Sequence, residues 1–246
     1  MAATILVASM ALSAGCRGDE EATIQRIHDL GRKPTEPNRN RIADLVHDPD
    51  RDVRANVLLV LNEVDPVRAK TLARAALTDV DGVVRGASVE VVASEAAGDL
   101  ELAHALAAMA SQDAAWQVRR RALDAIAGID DPGVKEAIVA ALSDSVRHVR
   151  RAALEAGSAH PGLLPLDRVS DLCAKDPDWE NREAAARVLG ASGDPASAAV
   201  LAAAEADPNE FVRAEAARGR RSLERSSPPP ASVPAPAHDG KPGSGV

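Results

Sequence analysis

Small apolar residues recur along the chain at the spacing of amphipathic helices, and short polar turns separate the apolar segments. Segments such as PVRAKTLARAAL at 66–77 and RANVLLVL at 54–61 place Ala, Val and Leu three or four positions apart. Turn-forming triplets lie between such segments, for example DPD at 48–50, DPG at 131–133, GDP at 193–195 and DPN at 207–209. The pattern therefore predicts an all-α chain built from pairs of helices joined by tight turns.

One spacing, an aspartate followed six residues later by an arginine, occurs repeatedly within this pattern. The successive arginines are 31, 34, 31, 32 and 31 residues apart, and five of the six follow a valine, the exception following Asn181. The six pairs are Asp48 with Arg54, Asp79 with Arg85, Asp113 with Arg119, Asp144 with Arg150, Asp176 with Arg182, and Asp207 with Arg213. Internal repeats of this length predict a solenoid, in which each unit buries its apolar face only against its neighbours.

The flanks of the repeats resemble solenoid ends. EEATIQRIHDLG at 20–31 predicts a single helix that covers the first repeat, and the last helix becomes polar where an interior repeat would stay apolar. We expect an anchor segment and capping helix at 16–37 and about six short helix pairs at 38–223. The Pro-, Ser- and Gly-rich composition of 224–246 predicts a disordered tail.

The repeated pattern D-x-x-x-x-V-R-x-x-A resembles the short HEAT-like repeats of phycobilisome lyases, over roughly residues 38 to 223. The resemblance implies that each aspartate lies in the turn between two helices and each arginine in the second helix, and that neighbouring repeats link them in a ladder. Physical chemistry agrees, because an aspartate before a helix can accept from its free N–H groups. An arginine one turn later can reach that carboxylate or the next one along. The twelve residues are therefore predicted to be structural.

Composition supports closely packed helical layers and argues against nucleic acid as a partner. Of the 246 residues 46% are hydrophobic but only 1% aromatic, so the core must consist mostly of small side chains. The net charge of −8 makes a general phosphate-binding surface improbable.

The first residues, MAATILVASMALSAGC, are uncharged, mostly apolar and too short to span a membrane. The stretch LSAGC resembles the lipobox of bacterial lipoproteins, although the segment opens without the usual Lys or Arg. The resemblance implies that residues 1–15 are a cleaved signal peptide and that Cys16 is acylated. It also implies a protein of the bacterial cell envelope, anchored to a membrane only through that lipid and facing the periplasm or exterior. The second cysteine, Cys173, is expected to be a buried thiol.

Catalytic and metal-binding patterns are missing from the sequence. There is no Gly-rich phosphate loop, C-x-x-C, H-E-x-x-H or G-x-S-x-G. Deoxyhypusine hydroxylase-like proteins bind iron through His-Glu pairs, but this chain has no His-Glu dipeptide and its histidines fall at unrelated repeat positions. We therefore predict a non-enzyme without cofactor or metal.

A candidate binding surface emerges when the repeats are aligned on their arginines. The position three residues earlier holds Arg51, Gly82, Trp116, Arg147, Trp179 and Glu210, so both tryptophans of the chain share one column. The position after the arginine holds Arg120 and Arg151 in repeats three and four. Trp and Arg are enriched at binding hot spots, although the simpler explanation is partly exposed residues at a helix start whose stems cover the neighbouring repeat.

These observations favour a monomeric, lipid-anchored HEAT-like scaffold that binds a protein or peptide on the helical ridge of repeats three to five. The predicted contact residues are Trp116, Arg147, Trp179, Arg120 and Arg151. Two alternatives remain: a lyase-like or hydroxylase-like repeat protein that holds a small cofactor, and a structural spacer without a specific partner.

Overall fold

The computed structural model describes residues 17–158 and 162–226. Within these residues the chain forms thirteen α-helices and no strand. Helix α1 (Arg17–Gly31) stands alone, and the others form six pairs. The first helices of the pairs are α2 (Glu36–Ala43), α4 (Pro66–Ala76), α6 (Leu100–Gln112), α8 (Pro132–Ala141), α10 (Leu166–Lys175) and α12 (Ser197–Ala204). The second helices are α3 (Arg51–Val64), α5 (Gly82–Val92), α7 (Trp116–Ile126), α9 (Arg147–Ser158), α11 (Trp179–Ala191) and α13 (Glu210–Ser226). Short 3-10 turns occupy Asp44–His47 and Ala93–Gly98.

The starts of the first helices follow from local sequence. Asp65 and Asp131 each precede a proline, and their carboxylates accept N–H groups from the first turns of α4 and α8. Proline suits the first helical position because that N–H has no partner within the helix. Helix α8 therefore begins at the predicted turn DPG at 131–133, and α4 begins in the same way at Asp65 and Pro66.

The second helices form one continuous row. Helix α1 packs on α3, and each second helix then packs on the next, up to α13, while each first helix packs against the second helix of its own pair. The predicted all-α solenoid with an N-terminal capping helix is therefore confirmed.

The core between the helices consists of small and branched side chains. The valines that precede the ladder arginines are all buried, namely Val53, Val84, Val118, Val149 and Val212. Helices α11 and α13 approach so closely that a Cβ on Gly219 would lie 2.9 Å from the Cα of Gly190. Such contact requires residues without side chains, which explains two glycines inside helices, where glycine is otherwise unfavourable.

Several predictions concern residues outside the described part of the chain. Cys16, the signal peptide at 1–15 and residues 227–246 of the predicted tail lie there. Residues 224–226, assigned to that tail, form the end of α13 instead. Among the described residues, no helix has the length and apolar character needed to cross a membrane. Cys173 is a buried free thiol, as predicted.

Candidate functional site

The six-residue spacing between aspartate and arginine has a direct structural cause. Arg150 Nη1 donates to the backbone carbonyl oxygens of Asp144, at 2.8 Å, and of Ser145, at 3.3 Å. All six ladder arginines make this pair of bonds, with 2.7 to 2.9 Å to the carbonyl of the aspartate in the same repeat. The arginine thus holds the turn that leads into its own helix.

The other edge of each guanidinium reaches the following repeat. Nε and Nη2 donate to the two carboxylate oxygens of the next aspartate, at 2.7 to 3.0 Å. The five pairs are Arg54 with Asp79, Arg85 with Asp113, Arg119 with Asp144, Arg150 with Asp176, and Arg182 with Asp207. The sequence allows each arginine to bind the carboxylate of its own repeat or that of the next repeat. The structure shows that it binds the carboxylate of the next repeat.

The direction of the pairs fixes the two ends of the ladder. Within the described chain, Asp48 is the one ladder aspartate whose carboxylate binds no arginine. Arg213 is the one ladder arginine there whose guanidinium binds no carboxylate. Asp207 lies in the last repeat but is paired with Arg182. Asp207 is therefore not an unpaired end of the ladder, because each paired arginine binds the aspartate of the next repeat and not that of the preceding one.

The ladder aspartates do not cap the second helices, contrary to the expectation from sequence. Each accepts the backbone N–H of the residue two positions on, at 2.7 to 2.9 Å, which closes a small turn. In four repeats the residue two positions after the ladder aspartate provides the side chain that caps the second helix. These residues are Asp50, Asp81, Asp178 and Asn209. Repeats three and four have Ala115 and Val146 there, without a capping side chain. The recurring D-x-D or D-x-N motif is the sequence pattern that could have identified these capping residues.

Charge pairing outweighs burial in the ladder. Burial alone would raise the pKa of Asp144, but hydrogen bonds from Arg119 and from the N–H of Val146 hold this pKa below its ordinary value. The pKa of Asp176 is likewise lowered by Arg150 against the effect of burial. These carboxylates are therefore stabilised as anions in the folded protein.

Asn181, which replaces the valine of the other repeats, also has a structural explanation. Its side chain is buried, and Nδ2 donates to the backbone oxygen of Arg147 at 3.1 Å and lies 3.3 Å from both carboxylate oxygens of Asp176. Asp176 has the least exposed carboxylate among the five ladder ion pairs. A buried anion needs every available donor, and Asn181 supplies one.

The aligned column Arg51, Gly82, Trp116, Arg147, Trp179 and Glu210 forms the first residues of the six second helices, and we call it the first-turn column. Its side chains also reach the next repeat. Arg51 Nη1 lies 3.4 Å from Asp81, and Arg147 Nη1 lies 2.6 Å from Asp178. In both cases the partner is the aspartate that caps the second helix of the next repeat, α5 or α11.

Both tryptophans stack on the ring that follows the first-turn column in the next repeat. Trp116 lies against His148 with ring centroids 5.0 Å apart, and Trp179 lies against Phe211 with centroids 5.5 Å apart. Arg147 Nε also donates to His148 Nε2 at 3.3 Å, which requires the histidine tautomer that carries its proton on Nδ1. Trp116 and Arg147 thus join through His148.

The predicted contact arginines pair with carboxylates of the chain itself. The guanidinium of Arg147 pairs with the carboxylate of Asp178. Arg120 lies 3.5 Å from Asp124, and Arg151 lies 2.8 Å from Glu155. A carboxylate is a stronger partner for a guanidinium than a ring face at an exposed site, so the basic charge of this surface is largely neutralised.

Sequence reasoning missed His148 and Phe211 as members of this surface. They occupy the second position of their helices, one residue after the first-turn column. Both could have been found by comparing each tryptophan with the next repeat. There, the position directly after the first-turn column holds an aromatic ring in both cases. No group of three or more His, Cys, Asp or Glu among the described residues could hold a metal ion.

Comparison with known proteins agrees with this geometry. The family profile described as HEAT repeats matches residues 103–163 and 164–220. The X-ray structure of the Escherichia coli protein YibA is 19% identical over 89% of this chain and 80% of that chain, with a TM-score of 0.60. An archaeal HEAT-like repeats protein from Thermococcus onnurineus is 13% identical over 88% of this chain and 99% of that chain, with a TM-score of 0.57.

A designed armadillo repeat protein, solved in complex with the peptide (KR)4, is 15% identical over 74% of this chain and 98% of that chain, with a TM-score of 0.56. No curated protein sequence matches the chain. The chain is therefore similar to HEAT repeats over residues 103–220 and shares the α-solenoid fold of these solved structures.

Proposed function

We propose that this protein is a scaffold that binds another protein or a peptide on the ridge formed by the first turns of α7, α9 and α11. The observation that carries the proposal is the exposure of aromatic rings on this ridge and on the first turn of α13 next to it. Trp179 is 38% exposed and Phe211 is 57% exposed, although only 1% of the residues in the chain are aromatic. Tryptophan is enriched where binding energy concentrates, because a large rigid surface is buried at small entropic cost.

The ridge offers a partner both apolar and polar contacts. Trp116, His148 and Arg147 form one connected group, and Arg147 keeps more than half of its side chain exposed while it pairs with Asp178. Arg120 and Arg151 flank this group on the same helices. A similar solenoid binds a peptide in the designed armadillo protein, which supports a peptide or an extended protein segment as the partner.

The test begins with isolation of the native partner from the cell envelope by a pull-down. Its affinity is then measured for the wild type, Trp116→Ala, Trp179→Ala and Arg147→Ala, with Glu210→Ala as the control from the same column. We expect losses of more than about 1 kcal/mol for the three ridge variants and little change for the control. If all four variants stay folded and bind as tightly as the wild type, the column serves packing only.

We also propose that Cys16 carries an acyl anchor that holds the scaffold at a bacterial membrane. The support is the lipobox-like LSAGC after an uncharged apolar segment. Replacing Cys16 with Ser should move the protein from the detergent-soluble membrane fraction to the soluble or uncleaved pool. Wild-type protein found only in the cytosol would contradict the anchor.

Within this proposal the protein is not an enzyme. Metal analysis and visible absorbance of the purified protein test this part directly. Bound iron or a bound chromophore would favour the hydroxylase-like or lyase-like alternative, and the absence of any specific partner would favour the structural spacer.

A further inference from the structure

Arg213 is oriented in the same way as the other ladder arginines but has no carboxylate to hold. Its Nη1 donates to the carbonyl oxygens of Asp207 at 2.7 Å and of Pro208 at 3.0 Å, the same anchoring bonds that the other five make. In those five the Nε and Nη2 edge binds both oxygens of an aspartate. At Arg213 this edge makes no ion pair within the described chain, and the residue is exposed.

The other five ladder arginines show which kind of ligand this edge binds elsewhere in the chain. Two parallel N–H donors held by backbone contacts match a carboxylate geometrically, and five copies of the arrangement hold one at 2.7 to 3.0 Å. Anchoring of Nη1 restricts the side chain in advance, so less rotamer freedom is lost when a carboxylate binds.

The first turn of α13 also carries an exposed apolar platform. Phe211 is two residues before Arg213 on α13, is 57% exposed and stacks on Trp179, which is 38% exposed. The two rings can cover an apolar side chain of the same ligand. We call Trp179, Phe211 and Arg213 the terminal arginine site.

The helix that carries the site has further basic residues. Arg221 and Arg225 lie on the same α13, are exposed and make no ion pair with any described residue. Arg218 and Arg220, in contrast, are paired with Glu215 and Glu205. This end is locally basic in a chain with a net charge of −8, so it is complementary to an acidic partner at contact range.

We propose that the terminal arginine site binds an acidic peptide segment of the partner: a carboxylate takes the free edge of Arg213, and a neighbouring apolar side chain packs on Phe211 and Trp179. The proposal rests on the proposed binding function and specifies the chemistry of one part of the partner. It also places that contact in repeat six, next to the ridge, so the two contacts can be tested separately.

The probe is a phage-displayed library of random dodecapeptides, selected on the full chain at low salt. We expect the selected peptides to share an Asp or Glu beside an aromatic or long aliphatic residue. The consensus peptide is then synthesised together with its Asp→Asn (or Glu→Gln) form. Calorimetry measures both against the wild type, Arg213→Ala, Phe211→Ala, Trp116→Ala and the control Arg26→Ala, which removes an exposed arginine at the other end of the chain.

The expected result is a loss of at least tenfold in affinity for Arg213→Ala and Phe211→Ala, and none for Arg26→Ala. Amidation of the peptide carboxylate should weaken binding to the wild type at least tenfold but change little on Arg213→Ala, since the partner of that carboxylate is already gone. The amidated peptide is measured on the unaltered protein, so this arm holds even if Arg213→Ala does not fold.

Several outcomes would overturn the site. They are a library that yields no binder or no acidic consensus, peptides that bind Arg213→Ala as tightly as the wild type, and binding that appears only after residues 227–246 are deleted. A dimer that depends on Arg213 would identify a second copy as the occupant and would equally overturn it. Peptides weakened by Trp116→Ala but not by Arg213→Ala would support the ridge and reject the terminal arginine site. Peptides weakened by Arg213→Ala but not by Trp116→Ala would support the terminal arginine site, and the ridge is then tested with the native partner.

Discussion

Arg119 binds both carboxylate oxygens of Asp144, with Nε at 2.7 Å and Nη2 at 2.9 Å, and thereby joins the third repeat to the fourth. Both side chains are only 12% exposed. The same arginine holds the turn before its own helix through the carbonyl of Asp113. One side chain therefore sets a turn within a repeat and the contact between repeats.

Asp144→Ala should lower the free energy of unfolding by about 1 to 3 kcal/mol, because the substitution leaves Arg119 without its charged partner at a mostly buried position. Asp48→Ala is the matched control. Asp48 closes the same kind of turn, by accepting the N–H of Asp50 at 2.9 Å, but its carboxylate binds no ladder arginine. Urea unfolding of the two variants measures the difference, and equal losses would show that the ion pair adds nothing beyond the turn.

Arg150→Ala should also cost about 1 to 3 kcal/mol, because it leaves the carboxylate of Asp176 buried with fewer donors. Here Arg213→Ala is the control, since Arg213 makes the same two bonds to backbone carbonyls and has no ladder aspartate. Denaturant unfolding should show a clearly larger loss for Arg150→Ala. A comparable loss at both sites would assign the stabilisation to the turn alone.

Stability should fall in acid through the ladder carboxylates. The pKa of Asp207 is lowered first by its hydrogen bonds from Arg182, and those of Asp113 and Asp144 are lowered by arginine against the opposing effect of burial. Since each folded-state pKa lies below the unfolded value of about 3.9, unfolding takes up protons at low pH. The stabilisation by these carboxylates is fully present above the unfolded-state pKa and is lost as the pH falls through the folded-state pKa.

Urea midpoints measured between about pH 6 and pH 2 test this dependence. The Asp144→Asn variant should lose less stability than the wild type over the acid range, because one titrating carboxylate is gone. Parallel curves for the two proteins would contradict a role for Asp144 in the acid transition.

Gly190→Ala should destabilise the protein by about 1 to 3 kcal/mol, through overpacking between α11 and α13. A Cβ at Gly190 would overlap the backbone of Gly219, and backbone cannot move aside as a flexible side chain can. Gly128→Ala provides the control, because a Cβ there meets nothing within 4 Å. Thermal unfolding followed by circular dichroism compares the two, and a neutral Gly190→Ala would mean that the helices separate freely.

Cys173 should resist thiol reagents in the folded protein. Burial, aided by the negative charge of Asp207, raises its pKa to about 11. The thiolate is the reactive form, so only about one thiol in a thousand is reactive at pH 8. A Cys16→Ser background leaves Cys173 as the single thiol, and its labelling rate should rise only under conditions that unfold the protein. Rapid labelling of the native state would contradict the buried position.

The sequence by itself determined the architecture. The six-residue spacing of Asp144 and Arg150 and the valine before five of the six arginines recur every 31 to 34 residues, and the scarcity of aromatic residues favours closely packed helices. Contacts in a solenoid are made within a repeat and with its neighbours, so a periodic sequence specifies them locally. The column that begins the second helices, including Trp116 and Trp179, could be recognised in the same way.

Only the tertiary structure decided which partners these residues take. Arg150 reaches Asp176 and not the carboxylate of Asp144, because the stacking direction of the helices places the next turn beside its free edge. The pairing of Trp116 with His148, and of Arg147 with Asp178, depends in the same way on how one helix is offset against the next. That offset is set by side-chain packing across the whole interface, such as the contact of Gly190 with Gly219, and no single repeat contains it.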